Sequence, residues 1–131
     1  MTRRLIPLGA FLLVTSASAA PGQRQLDLHQ RDIIKHYVLR EAKASILSPH
    51  QGEAKDFARS LEQALRAAGA WVSVDQQNSV EPDQRGLTVI YDHSVPADSS
   101  IFLALQRAGL NPKDEDVPGA PVSTVIVGPR S

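Results

Sequence analysis

The sequence predicts an α+β domain: a β-α-β-β-α-β core, read as a two-layer, ferredoxin-like sandwich, preceded by an N-terminal helix. Three observations carry this. Two segments repeat apolar residues at three- and four-residue spacing, and each stops at a glycine. Four short runs of Val, Ile, Leu and Thr stand around them. Those runs are broken by Ser45, Ser73, Thr88 and Ser123, whereas strands buried on both faces are near-continuous apolar runs. One solvated sheet face is therefore expected, with both core helices on the other. The same element order also permits a small doubly wound α/β sheet with helices on both faces.

The elements follow in order. Residues 1–19 read as a secretory signal. Arg3 and Arg4 give a positive start, Leu5–Val14 an apolar stretch, and Ala17 and Ala19 the small-residue spacing for a cut after Ala19. The apolar stretch is about half the roughly 20 residues that a spanning helix needs. Residues 20–27 form a polar lead-in, and one domain is expected over 28–131. Leu28 to Ala42 has a helical stripe through Leu28, Ile33, Ile34, Tyr37 and Val38, with Asp27 as its N-cap. This helix is expected over an edge or part of the open sheet face. Ala44–Leu47 is the first strand, and 48–52 a loop. Glu53–Ala68 is the strongest helix, with Ala54, Phe57, Ala58, Leu61, Leu65 and Ala68 on one side and Gly69 as its stop. Ala70–Val74 is a strand and Asp75–Gly86 a loop. Leu87–Tyr91 is a strand, and a second core helix runs from about Ser100 to Ala108, capped by Asp98 or Ser99. Asn111–Pro121 reads as a loop with an acidic patch, Asp114-Glu115-Asp116, and Val122–Val127 is the last strand.

The phrases Ala64-Leu65-Arg66-Ala67-Ala68-Gly69 and Ala104-Leu105-Gln106-Arg107-Ala108-Gly109 end the two core helices alike. They read as ordinary helix ends with a glycine stop.

Composition excludes several chemistries. The chain has 14 basic and 14 acidic residues, and losing Arg3 and Arg4 with the signal leaves a slight acidic excess. Nucleic acid and anionic membranes call for clustered Lys and Arg, so neither is expected as a partner. Cysteine is absent, which removes disulfides, thiol nucleophiles and thiolate metal sites. No cofactor is expected, because no glycine-rich phosphate loop stands between a strand and a helix. No later segment is apolar enough to span a bilayer.

The mature chain resembles a small bacterial α/β module that recurs in exported and membrane-associated proteins. The residues carrying the resemblance are Gln30-Arg31-Asp32, Glu53-Ala54, Phe57-Ala58, Leu61, Leu65 through Gly69 to Val72, Leu105 to Gly109, and Val125-Ile126-Val127-Gly128-Pro129. The resemblance implies the fold and a cell-envelope setting. It carries no activity and no functional residues.

Candidate chemistry is sparse. His29, Asp32 and His36 share a helical face, but His29 and His36 stand two turns apart, about 10 Å, so one ion cannot bridge them. They read as a solvated face, and no metal site is expected. His50 follows the first strand and Asp92-His93-Ser94 the third. A hydrolytic set needs these groups to converge in space. Parallel strands would bring them to one edge, and antiparallel strands would hold them apart. Trp71 opens the second strand and is the candidate for a contact surface if exposed. The function expected is an exported, periplasmic or extracellular, non-enzymatic module that binds an envelope protein or a cell-wall glycan. The alternative is a small hydrolase or metal-dependent enzyme using His50, Asp92 and His93.

Overall fold

The computed structural model describes residues 24–49, 52–77 and 86–129. The segment 1–19 read as a signal, the cut expected after Ala19, and His50 lie outside the described residues. The elements are α1 (Leu28–Tyr37), β1 (Lys43–Pro49), α2 (Glu53–Ala67), β2 (Trp71–Gln77), β3 (Leu87–Tyr91), α3 (Pro96–Arg107), β4 (Lys113–Asp116) and β5 (Ser123–Val127).

The three helices lie against one five-stranded mixed sheet of order β2-β1-β5-β3-β4. β1 runs parallel to β2 and β5, β3 is antiparallel to β5, and β4 is parallel to β3. The mixed α+β class is as expected, but the ferredoxin-like order is not. In that order a strand separates the two parallel strands of the first β-α-β unit. Here β1 and β2 are direct neighbours, and a fifth strand, β4, extends the far edge. Nor is the sheet doubly wound, because one helix layer covers one face.

Strand alternation shows which face that is. Ala44, Ile46, Leu87, Val89, Tyr91, Val125 and Val127 are buried in one cluster with Ile34, Phe57, Leu61, Leu65, Ile101 and Leu105 of the three helices. The opposite face is laid out in rows by the register. One row is Ser73, Ser45, Thr124, Ile90 and Glu115; the next is Asp75, Leu47, Ile126, Thr88 and Lys113. No helix among the described residues packs there, which accounts for Ser45, Ser73 and Thr88. Ser123 instead faces the helices, fully buried, and its hydroxyl donates to Asp98 O of α3 at 3.1 Å.

Helix α1 forms as its cap dictates. The Gln30 N–H donates to Asp27 Oδ1 at 2.7 Å, and the Asp27 N–H donates to Gln30 Oε1 at 3.0 Å, a complete capping box. The helix packs on α2 and α3 rather than over the open face, and Leu28, expected on its apolar stripe, stands 81% exposed at its first turn. It ends at Tyr37, five residues short of the predicted end. Val38 is extended, and the Leu39 N–H donates to Ser100 Oγ of α3 at 2.9 Å. Burial of Val38 and Ala42 then directs the chain into β1.

Helices α2 and α3 share their ending. Gly69 and Gly109 take φ of +97° and +82°. In α2 the Ala70 N–H donates to Leu65 O, and in α3 the Leu110 N–H donates to Leu105 O, both at 3.1 Å. Each is the six-to-one bond of a Schellman stop. Helix α3 starts earlier than predicted, with Pro96 in its first turn after Val95. Asp98 is therefore not its cap. It is buried and accepts from the Lys43 N–H at 3.5 Å, which ties α3 to the start of β1.

The end of the predicted lead-in is packed structure. Leu26 is buried in the core. Arg24 donates from Nε and Nη2 to the two Glu53 carboxylate oxygens at 2.7 and 2.8 Å, and from Nη2 to Gly128 O at 2.8 Å. Its guanidinium also lies 4.6 Å over the Phe57 ring. One arginine thus joins the segment before α1, the first turn of α2 and the residue after β5.

Candidate functional site

Two groups of predicted residues lie toward the same end of the sheet, where β1, β2 and β5 begin and β3 and β4 finish.

The first centres on Trp71. The glycine stop of α2 places it as the first residue of an outer strand, and its N–H donates to Ala42 O at 2.9 Å. The register sets it beside Lys43 on the face away from the helices. The residue is 73% exposed, whereas most large apolar side chains here are buried. A groove of about 240 Å³ runs past it between Ser73 and Val122. A second, of about 460 Å³, lies between Trp71, Lys43, Glu41, Pro121 and Ala97. A third adjoins it through Glu41 and Ala97 and reaches Pro96 and Leu39, itself 49% exposed. Trp71, Leu39, Pro96 and Pro121 therefore share one grooved, largely apolar region, with Lys43 and Glu41 between them. Only Trp71 was legible as a candidate. Leu39 was hidden in the predicted helix, and Pro121 in a predicted loop.

The second group follows β3. Asp92 Oδ1 accepts the Ser94 hydroxyl at 2.7 Å and the Ser94 N–H at 2.9 Å, while Oδ2 accepts the Gly119 N–H at 2.8 Å. These donors, the Ser94 hydroxyl first, stabilise the carboxylate and hold its pKa below the ordinary aspartate value. The folded protein thus gains from Asp92 at pH above that ordinary value, and the gain fades as acid protonates the carboxylate. Asp92 fastens the turn after β3 to the turn after β4.

His93 is held separately. Its Nε2 lies 2.7 Å from Asp114 Oδ1, and its N–H donates to Asp116 Oδ1 at 3.0 Å. Its ring lies 4.6 Å from that of Tyr91. Burial, then the Asp114 charge and its hydrogen bond to the phenol, push the Tyr91 pKa up to about 12. Asp114 is therefore shared between Tyr91 and His93, a partnership that only appears once β4 lies beside β3. Sequence reading found the acidic patch but not its place, since a strand of four exposed charged residues has no apolar period.

The structure does not place the Ser94 hydroxyl on His93; it donates to Asp92 instead. β1 is parallel and β3 antiparallel to β5, so the strand leading to His50 finishes at the end of the sheet away from Asp92 and His93. Among the described residues, no group of three or more His, Asp or Glu side chains could hold a metal ion. His29, Asp32 and His36 are exposed on α1. No helix among the described residues is long and apolar enough to cross a membrane.

Compared with protein-family models, with curated proteins and with solved structures, the chain matches none.

Proposed function

We propose that this chain is an exported domain of the bacterial cell envelope that works by binding, through the surface around Trp71. The observation that carries the reading is Trp71 itself, 73% exposed among contiguous, largely apolar grooves. Tryptophan is the residue most enriched among those that dominate binding energy. Leaving so large an apolar side chain in water has no benefit to the fold, whereas covering apolar surface contributes roughly 25 cal/mol per Å². Lys43 and Glu41 between the apolar residues supply polar contacts that would orient a partner. The leader-like segment 1–19 supports the envelope setting, and an envelope protein or a cell-wall glycan is the partner class.

The hydrolytic alternative through His50, Asp92 and His93 has less support. Asp92 is occupied with two turns, and β1 and β3 finish at opposite ends of the sheet.

Capture from a cell-envelope extract tests the proposal. The wild-type chain, Trp71→Ala and His93→Ala are used side by side as bait. Wild type and His93→Ala are expected to retain the same partner or glycan, and Trp71→Ala to lose most of it. Equal capture by Trp71→Ala contradicts the proposal. So does hydrolysis of an envelope substrate that disappears in His93→Ala.

A further inference from the structure

The two outer strands of the sheet are finished differently. β4 has four residues, Lys113, Asp114, Glu115 and Asp116, all exposed. Short length and charge keep an edge from pairing. Set antiparallel on a second copy about its centre, β4 would bring Asp114 against Glu115 twice, like-charge contacts that offset the two Lys113–Asp116 pairs.

β2 has seven residues and no Lys, Arg or Pro. The Trp71 N–H donates inward to Ala42 O, so the two-residue period of the ladder turns the N–H and C=O of Val72 and Val74 outward. Arg66 Nη2 donates to Val72 O at 2.9 Å. Among the described residues, nothing takes up the Val72 N–H or either Val74 group. An unpaired row of this kind is a template for another strand.

We infer that β2 pairs antiparallel with β2 of a second copy of this chain, about a two-fold axis at Val74, to form one continuous sheet. The choice of occupant rests on self-complementarity, which a two-fold interface requires. In this register Ser73 of each copy stands opposite Asp75 of the other, hydroxyl against carboxylate, on the face away from the helices. Val74 stands opposite Val74, and Val72 opposite Gln76. The only charge on the strand, Asp75, never meets its own copy. An axis at Asp75 would set the two carboxylates face to face.

The inference does not rest on the binding reading. If Trp71→Ala loses its partner while the wild type is monomeric, that reading stands and this one falls.

The chain has no cysteine, so introduced pairs report the register directly. Ser73 and Asp75 bond inward and form the close, non-hydrogen-bonded pair of the new seam, with Cα atoms about 4.5 Å apart. That lies within disulfide reach. Ser73→Cys combined with Asp75→Cys, in the full chain, is expected to give covalent dimers under mild oxidation, while Glu115→Cys on β4 stays monomeric. Sedimentation velocity supplies the second readout. Wild type is expected to dimerise. Val74→Pro is expected to be monomeric with an unchanged circular dichroism spectrum, because it removes only an outward N–H, where an edge strand tolerates proline. Ser73→Asp sets carboxylates opposite each other at two places and is expected to weaken the dimer about tenfold. Ser73→Lys is expected to tighten it. A monomeric wild type at the highest soluble concentration overturns the inference. So does crosslinking at Ser73 and Asp75 no faster than at Glu115.

Discussion

Gly109 shows how far a single residue can be read. Its φ of +82° belongs to the left-handed region, and a Cβ there would meet nothing within 4 Å. Substitution would therefore act through the backbone alone. Gly109→Ala is expected to cost about 1 kcal/mol, read by urea unfolding, and a neutral result would contradict the Schellman stop. This glycine was legible because a helix end is a local event. Tyr91 was not legible in the same way. Its burial and its bond to Asp114 depend on a strand 22 residues further on. With its pKa raised from 10 to about 12, the folded state favours the neutral phenol. The stability it adds is complete below pH 10 and is lost as pH rises from 10 toward 12. Asp114→Asn removes a nearby negative charge, so phenol ionisation is expected to move down in an ultraviolet titration on a Tyr37→Phe background. An unmoved titration would separate Tyr91 from Asp114.

At the scale of elements, the apolar stripe of α2 was the strongest signal in the chain, and its helix spans Glu53–Ala67 almost as predicted. Phe57, Leu61 and Leu65 are buried against β1 and β2 as the spacing requires. Leu61 is fully buried, so Leu61→Ala is expected to destabilise the fold by about 2–5 kcal/mol, through lost transfer energy and the cavity left behind. A loss below 1 kcal/mol would mean that the site collapses or that α2 packs elsewhere. β3 was equally clear as Leu87–Tyr91. β4 was missed because its ladder to β3 uses backbone groups, while its side chains are charged and exposed. α1 was predicted too long because the Ser100 hydroxyl that takes the Leu39 amide lies on another helix. The N-terminal boundary moved for a related reason. Arg24 reads as part of a polar lead-in until Glu53, Gly128 and Phe57 are brought around it.

For the whole molecule, composition and interrupted strands were enough to predict α+β architecture with both core helices on one side, but not the place of α1 beside them. They were not enough for strand order. Strands this short pair according to crossovers and the shape of the shared core, and neither has a local signature. The candidate surface was legible at one residue, Trp71. Leu39, Pro96 and Pro121 join it only through folding, since Leu39 and Pro121 come from two different connections and Pro96 from the start of α3. The central claim is that this surface is covered when the protein works. Trp71 is the single tryptophan of the chain, so its fluorescence reports on that surface alone. The direct measurement replaces it by 7-azatryptophan, excited beyond the absorption of the ordinary tryptophan of other proteins, and follows its emission and its quenching by acrylamide with and without a solubilised envelope fraction from which the partner is captured. A blue shift and reduced quenching are expected on binding. Unchanged emission and quenching, with the partner bound, would place the contact elsewhere and contradict the claim.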